Sequence, residues 1–511
     1  MNHWIIVPVV LPALVAPFIV TAARHDLVLQ RVFGIAASAA LVAVAIGLFV
    51  LASDGGIRPY ALGNWPPPFG IVLVLDRLSA LMVLLTAILA LVVVIYASQG
   101  WDRRGRHFHA LFQFQLMGLN GAFLTGDLFN LFVFFEVLLI ASYGLMLHGA
   151  GARRITEGLK YVAINLAGST LFLFAVGLLY ALTGTLNMAD LAVRVSEVPA
   201  SDLALVRLAG ALLLIVFAIM GALVPLHLWL PGTYAVASPP VAAFFAIMTK
   251  VGAYAILRVY ILIFGGGAGA AAWLAEPWVL PAATLTLALG MIGVLGARTL
   301  TTLAVYALIG SVGTLLLAVG LFDETGTAAA LYYLVHSTLS GAALFLLADL
   351  VARRRGGAGD LLVAAPRFAD LDLLAGLFFL AGIAAVGMPP LSGFVGKLLI
   401  LEATTDRVHW PWLWAAVLGG SLLAMIGFAR AGSLVFWKCV ADPGEPEPDR
   451  PRHDTMGLCI TVALVAAPAL LAFFAGPAMN VMEATATQLF APDRYIDAVL
   501  GSGVVLARAL P

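Results

Sequence analysis

The sequence predicts an all-α polytopic membrane protein with about fourteen transmembrane helices. Of its 511 residues, 62% are hydrophobic and only 11% are charged, whereas soluble domains carry about a quarter charged residues. Apolar runs of about 20 residues, the length that an α-helix needs to cross the hydrocarbon core, recur along the chain. These runs are continuous rather than alternating, which excludes a membrane β-barrel.

The predicted spans follow one another with short loops between them. The first seven lie near residues 4–22, 30–52, 73–97, 108–126, 128–148, 160–183 and 205–230. The other seven lie near 238–263, 277–297, 300–321, 328–351, 370–403, 411–437 and 456–476. The fourth and fifth nearly fuse at LTGD, so their division stays open. No positive residues precede the first run, which indicates a retained span rather than a cleaved signal peptide.

Positively charged residues predict the orientation of the chain. Lysine and arginine are concentrated in the loops after odd-numbered spans, for example in DRRGRH at 102–107 and RRR at 353–355. Cytoplasmic loops carry this excess. We therefore expect both termini on the extracytoplasmic side. The polar segments 353–360 and 443–454 are too short to form an appended soluble domain.

Two regions of the chain combine prolines with a following lysine. The prolines that we expect to break helices are Pro225, Pro231, Pro239, Pro240, Pro389 and Pro390. Lys250 follows the first group and Lys397 follows the second. Irregular backbone at membrane depth is tolerated only where protein or a water-filled cavity satisfies it. Corresponding broken spans in two halves are typical of transporters built from inverted repeats.

Two ionisable residues inside spans are the first candidates for function. Such residues cost about 2.5–3.5 kcal/mol each on insertion scales, so they need a role or a partner. Glu136, in the fifth span, is a candidate proton carrier, and the alternative is a buried, hydrogen-bonded carboxylic acid. Asp127, at the start of the same span, is assigned a supporting role. Lys250, in the eighth span, is a candidate proton donor, and the alternative is a lysine that snorkels to the interface.

Further polar residues extend this set. His336 is a candidate proton relay, or a residue that ties two helices together. Lys397 is a second candidate carrier, again with snorkelling as the alternative. His227 either takes part in transfer or binds carbonyls freed by the helix break. Tyr254 continues the face of Lys250 one turn later and Arg258 follows it, although Arg258 could equally serve as an anchor.

The sequence also excludes several classes of function. It has no phosphate-binding glycine loop, no HExxH or CxxC motif and no nucleophile elbow, so we expect neither an enzyme nor a cofactor. Its two cysteines, Cys439 and Cys459, are too few for a metal cluster, and no metal is expected. The formal net charge is +0, and no basic block suggests nucleic acid as a partner. Asp76 and Arg77 are expected to form a local ion pair.

Several motifs resemble a known family. The segments DLFNLFVFFEVLLIASYGLM, PLHLWLP, PPVAAFFAIMTKVGAYAILR, HSTLSGAALFL and GMPPLSGFVGK are similar to the antiporter-like subunits shared by respiratory complex I and Mrp cation/proton antiporters. Within that superfamily, GNWPPPFGIVLVLDRLSALM and WLPGTYAVASPPVAAFFAIMTKVGAYAILRVY most resemble the family of Mrp antiporter D subunits.

The resemblance implies a fold and a proton path. It implies two inverted five-helix repeats with helices seven and twelve broken. The corresponding division of the chain is 1–107, 108–265 for the first repeat, 266–440 for the second, and 441–511. The family's proton-carrying residues fall on Glu136, Lys250, His336 and Lys397. One position departs from the family, because Met220 stands where a lysine usually faces the fifth-helix glutamate. We therefore expect Glu136 to be mostly protonated, or paired with Lys250 through water.

The resemblance further implies partners and a location. It implies a proton-translocating subunit that exchanges H⁺ for Na⁺ or K⁺, assembled with other membrane subunits in the bacterial cytoplasmic membrane. Two alternatives stay open. One is a proton-pumping subunit of a redox complex, of the complex I or membrane-bound hydrogenase type. The other is a structural subunit whose proton path is impaired by Met220.

Overall fold

The computed structural model describes residues 3–439 and 454–501, and this part of the chain is predominantly helical. Its first segment contains helices α1 (Val7–Thr21), α2 (Leu27–Ala52) and α3 (Arg77–Ala97). Between α2 and α3, strands β1 (Arg58–Ala61) and β2 (Val72–Leu75) form an antiparallel hairpin. The predicted helical fold class holds for the rest of the described chain, and the sequence analysis missed only this hairpin, because its strands are too short to stand out in an apolar sequence.

The second segment has a broken helix near its middle. It contains α4 (Phe108–Leu124), α5 (Leu128–Met146), α6 (Ala152–Thr183), α7 (Met188–Arg194), α8 (Leu203–Met220), α9 (Trp229–Val236), α10 (Pro239–Phe245) and α11 (Met248–Leu262). Helices α8 and α9 cover the predicted seventh span, and α10 with α11 cover the eighth.

The last segment repeats this pattern with a second broken helix. It contains α12 (Glu276–Gly296), α13 (Leu300–Val319), α14 (Glu324–Arg354), α15 (Leu371–Val386), α16 (Ser392–Ala403), α17 (Trp410–Gly432), α18 (Thr455–Phe473), α19 (Ala475–Leu489) and α20 (Pro492–Leu500). Helices α15 and α16 cover the predicted twelfth span. The polar segment predicted at 443–454 lies outside the described residues, except for Asp454, which caps α18.

Eleven helical segments of the described chain are long and apolar enough to cross a membrane, so the protein is a multi-pass membrane protein. Helices α1 and α15 are apolar but shorter. The count of fourteen and the inverted repeats stay predictions. The segment Pro239–Leu262 is buried along its whole length and α14 along most of it, whereas α2, α6 and α17 leave most of their surface exposed. The most deeply buried helices are the ones that carry Lys250 and His336.

The two ends of the helix bundle differ in what covers them. At one end, which we call the hairpin end, β1, α7 and α20 pack together. The start of α14 joins this end, because Thr487 Oγ1 donates to Glu324 Oε2 over 2.9 Å and Gln488 Oε1 accepts from the Arg77 amide over 2.9 Å. At the opposite end, which we call the arginine end, lie the segments Trp101–Arg104 and 353–355. By the positive-inside expectation, the hairpin end is extracytoplasmic.

Both helix breaks have their backbone groups satisfied by nearby protein. In the first break, Trp229 Nε1 donates to the Ile219 carbonyl over 3.1 Å and the Val224 amide donates to Thr286 Oγ1 over 2.9 Å. In the second, Gly387 ends α15 with a φ of 82° and its amide donates to the Ile383 carbonyl over 3.0 Å. Backbone N–H and C=O groups at membrane depth need such hydrogen-bond partners, because no water is available there.

The predicted helix-breaking prolines occupy two kinds of position. Pro225, Pro389 and Pro390 lie in the interruptions themselves. Pro231 lies in the first turn of α9, and Pro239 and Pro240 are the first residues of α10. Proline is tolerated in a first turn because the N–H groups there have no partner within the helix. These three residues therefore begin helices after the break.

Candidate functional site

Lys250 lies in the first turn of α11, in the fully buried part of the molecule. Its side chain is 0% exposed, and its amine makes one long contact, 3.5 Å to Thr249 Oγ1. Among the described residues, no carboxylate lies within 4.0 Å of its amine. Helix α11 packs tightly against the end of α8, since a Cβ on Gly252 would lie 2.5 Å from the Gly221 amide. Lys250 is therefore a buried amine without a strong partner, and snorkelling does not describe it.

His336 lies in the middle of α14 and joins it to the second broken helix. The side chain is 2% exposed, and Nδ1 lies 2.8 Å from Ser392 Oγ. Gly393 makes room for the imidazole, because a Cβ there would lie 2.9 Å from His336 Nε2. A neutral imidazole has one donor and one acceptor nitrogen, which lets it pass a proton as well as tie helices together.

Lys397 lies on α16 and returns to the end of α15. Its amine donates to the Val386 carbonyl over 2.7 Å and to Ser421 Oγ over 2.8 Å, and the residue is 5% exposed. A cation at the C-terminus of a helix is stabilised by the unpaired carbonyls and the helix dipole. Gly387 has to be glycine here, because its φ is 82° and a Cβ would lie 2.7 Å from Lys397 Cδ.

The structure brings the elements that carry Lys250, His336 and Lys397 together. Helix α14, which carries His336, packs against α16, which carries Lys397, and against α10, which directly precedes the helix of Lys250. His336 also lines a narrow cavity with Ser311, Tyr333 and Ser340. Helices from both halves of the chain thus contribute to one buried polar line.

Glu136 lies apart from this line. It is half-buried on α5, and it accepts a hydrogen bond from Ser169 Oγ on α6. Among the described residues, no lysine, arginine or histidine nitrogen lies within 4.0 Å of its carboxylate. Helix α6 thus covers Glu136 only in part, and its hydrogen bond with Ser169 is the contact that ties it to the bundle. Met220 is buried at the end of α8 and supplies no charge.

The other predicted site residues have local roles in the structure. Asp127 is the N-cap of α5, where its Oδ1 accepts from the Asn130 amide over 2.8 Å. His227 lies half-buried in the first helix break, and its Nδ1 has no hydrogen-bond partner among the described residues. Tyr254 is fully buried, and its hydroxyl donates to the Phe123 carbonyl over 2.6 Å.

The expected ion pair of Asp76 with Arg77 is wrong. Asp76 Oδ2 lies 2.6 Å from Arg258 Nη2 at the far end of α11, and both side chains are nearly fully buried. Arg77 instead donates to the Ser53 carbonyl over 2.7 Å. The two partners are far apart in sequence, so only the fold reveals the pair. The one sequence signal was the position of Arg258 on the face of Lys250 and Tyr254.

Two buried carboxylates at the arginine end had no role in the sequence prediction. Asp102 accepts from Arg31 Nε over 2.6 Å and from His109 Nε2 at 3.1 Å. Burial raises the pKa of Asp102, but the hydrogen bonds from Arg31 and His109 outweigh it and lower this pKa to about 2. Asp349 binds Tyr96 Oη over 2.6 Å, Trp101 Nε1 over 2.9 Å and Arg353 Nη2 over 2.5 Å.

No metal site accompanies these groups in the part of the chain that the structure describes. Within residues 3–439 and 454–501, no cluster of three His, Cys, Asp or Glu side chains could hold an ion. Cys439 and Cys459 are both free thiols. The side chains that can bind and release a proton in this site are the amines of Lys250 and Lys397 and the imidazole of His336.

The sequence of this chain is similar to those of known membrane proteins. The family model described as "NADH:quinone oxidoreductase/Mrp antiporter, TM" matches residues 125–424, which include all four predicted proton carriers. The chain is 42% identical to a probable K⁺/H⁺ antiporter D subunit of Rhizobium meliloti, over 98% of each chain. It is 38% identical to a Na⁺/H⁺ antiporter D subunit of Bacillus subtilis, over 98% of this chain and 100% of that one. The chain belongs to the family of antiporter D subunits.

The fold agrees with this membership. A chain of the Mrp complex from Dietzia sp. superposes with a TM-score of 0.85 and 28% identity, over 98% of this chain and 100% of that one. The resemblance inferred from the motifs is thereby confirmed. Members of this family are transporter components, so the expectation that this chain is not an enzyme is also confirmed.

Proposed function

We propose that the chain is the proton-translocating subunit of a multisubunit antiporter that exchanges H⁺ for Na⁺ or K⁺ across the bacterial cytoplasmic membrane. The observation that carries the proposal is the buried line of Lys250, His336 and Lys397. Three titratable side chains in the interior of a membrane protein are costly unless they serve a function. Here Lys250 lies in the first half of the chain, and His336 and Lys397 lie in the second half.

The contacts of each group suggest its part in transfer. Lys250 holds a proton loosely, since its amine has one contact of 3.5 Å. His336 can accept a proton at one ring nitrogen and release one from the other. When Lys250 gives its proton to the imidazole, its own amine becomes neutral, and the imidazole passes a proton from its other nitrogen to a neutral Lys397. Lys397 then holds the proton next to the Val386 carbonyl.

The position of Glu136 supports assembly with other subunits. The relatives from Rhizobium meliloti and Bacillus subtilis are named as single subunits of antiporters, and the similar structure from Dietzia sp. is a complex. Glu136 is half-buried at the perimeter, where another membrane subunit could cover it. We therefore propose that protons pass between Glu136 and a neighbouring subunit. The lipid-facing surface of α2 and α17 is exposed and apolar, as contact with a bilayer requires.

The assignment to an antiporter is preferred to a subunit of a redox complex. The matching family model covers both classes of protein. The two relatives that match 98% of this chain, at 42% and 38% identity, are both named antiporter subunits. The loss of charge at Met220 leaves the line from Lys250 to Lys397 intact, so nothing in this line favours a purely structural subunit.

The test is the variant Lys250→Met in the complete complex, measured in everted membrane vesicles. We expect loss of the recovery of a pH gradient on addition of Na⁺ or K⁺, because the long apolar side chain fills the site but carries no proton. The matched control is Lys160→Met, which removes an exposed lysine paired with Glu157. Normal exchange by assembled Lys250→Met complexes would overturn the proposal.

A further inference from the structure

A polar stripe continues from Lys250 towards the hairpin end. Lys250, Tyr254 and Arg258 follow one another at intervals of one turn on one face of α11. Eight residues of helix correspond to about 12 Å, so the stripe spans about 40% of the hydrocarbon core. A proton held on Lys250 could in principle follow this stripe out of the protein instead of crossing to His336.

The middle of the stripe is closed to proton transfer. The Tyr254 hydroxyl donates to the Phe123 carbonyl over 2.6 Å and lies 3.4 Å from Arg258 Nε, from which it can accept. A relay needs its own donor directed at the next acceptor of the path. The proton of Tyr254 is directed at a backbone carbonyl, which does not pass it on, so the hydrogen-bond chain ends there.

The end of the stripe carries a fixed charge. Arg258 cannot release its proton under physiological conditions, and its positive charge repels other cations, as arginine does in proton-excluding pores. Asp76 holds this charge in place, since its Oδ2 lies 2.6 Å from Arg258 Nη2. Its Oδ1 accepts from the Ser79 amide over 2.8 Å, so both carboxylate oxygens are already engaged.

A third element covers the pair from the hairpin end. Tyr495, on α20, places its ring 5.3 Å from the Arg258 guanidinium and is 4% exposed. Helix α20 itself packs against α7 and β1. The pair is therefore closed from outside by an aromatic side chain, and its charges act in a medium of low dielectric, where they are strongest.

From this arrangement we infer that the Asp76–Arg258 pair, covered by Tyr495, is a proton seal at the hairpin end of the first half. The inference rests on the proposed function, because a seal matters only if protons reach Lys250. Its effect is to leave His336 as the way onward from Lys250. The pair thus prevents a leak that would dissipate the gradient without moving a cation.

The first arm of the test is Arg258→Gln in the complete complex. The substitution leaves the Asp76 carboxylate, a group that can bind a proton, buried without its cation. We expect an imposed pH gradient to decay several-fold faster in vesicles suspended without Na⁺ or K⁺. The matched control is Arg407→Gln, which removes a half-exposed pair with Asp323 at the same end and should not increase the leak. An assembled Arg258→Gln complex that is as tight as wild type would overturn the inference.

The second arm is the double variant Asp76→Leu with Arg258→Met. Replacing both members of a buried pair by apolar side chains of similar size is often neutral for folding. A seal predicts tight vesicles and retained antiport, because no protonatable group is left between Tyr254 and the hairpin end at the position of the pair. If the stripe is instead a proton exit, the assembled double variant loses antiport, which contradicts the seal. Antiport retained by Lys250→Met would overturn the proposed function itself, and that result is separate from either measurement of leak.

Discussion

The two halves of the molecule hold similar lysines beside similar helix breaks, but they hold them differently. Lys397 donates to the Val386 carbonyl and to Ser421 over 2.7 and 2.8 Å. Lys250 has one contact of 3.5 Å and is more deeply buried. A buried ammonium needs partners to remain charged at low cost. On the proposed proton path, this difference in contacts fits a second lysine that keeps a proton and a first lysine that gives one up.

The largest expected effect comes from removing the acid at the start of the path. We expect Glu136→Gln to reduce cation-dependent antiport in vesicles to background, since glutamine keeps the contact with Ser169 but cannot carry a proton. Glu276→Gln, at the exposed start of α12, is the matched control. If assembled Glu136→Gln complexes still exchange cations for protons, Glu136 is not part of the proton path. The path would then consist of the two lysines and His336.

The next largest effect concerns the stability of the protein, to which the two lysines should contribute differently. Lys397→Met leaves the Val386 carbonyl and Ser421 without their donor, and a buried unsatisfied group costs about 1–3 kcal/mol. Lys250→Met breaks one weak contact and removes a buried amine, so it should not destabilise the protein. We expect the thermal unfolding midpoint of the purified complex to fall for Lys397→Met and to stay the same or rise for Lys250→Met. Equal losses in both variants would contradict the comparison.

Restoring a charge near the first break should have an intermediate effect. Met220→Lys introduces a base at the buried end of α8, at the position where the family resemblance implies a lysine. If the missing charge limits transfer from Glu136, antiport activity or its pH optimum should change. Met220→Leu, which changes shape but not charge, is the control. An unchanged rate and pH profile would mean that the first half works without a base at this position.

The smallest expected effect comes from removing one of the two hydrogen bonds that hold the Lys397 amine. Ser421→Ala removes one hydrogen bond to the amine but leaves the Val386 carbonyl in place. A bond from a charged group contributes about 1.5–3 kcal/mol, and part of it is recovered through the remaining contact. We expect antiport to persist with an altered pH profile, while Thr249→Val, next to Lys250, changes the profile less. The reverse order would indicate that Lys250 is the anchored lysine.

The helix breaks and three of the candidate site residues could be predicted from the sequence, because ionisable residues and prolines are rare in membrane-spanning segments. Lys250, His336 and Lys397 stand out in apolar runs, and the prolines near them mark both breaks. The Asp76–Arg258 pair could not be found in this way, since Asp76 precedes α3 and Arg258 lies near the far end of α11, and only the fold brings them together. The half-buried position of Glu136 depends on how α6 covers α5. The short hairpin carries too few residues to oppose the helical pattern of its surroundings.

On the proposed path, protons cross between the two halves of the molecule through His336. The most direct test is His336→Gln in the assembled complex, assayed in everted vesicles for the recovery of a pH gradient on addition of Na⁺ or K⁺. Glutamine can still bond with Ser392, so the helices stay joined, but it cannot exchange a proton. We expect exchange to fall to background while the complex assembles normally. Wild-type exchange by His336→Gln would contradict the proposed path and show that each half works on its own.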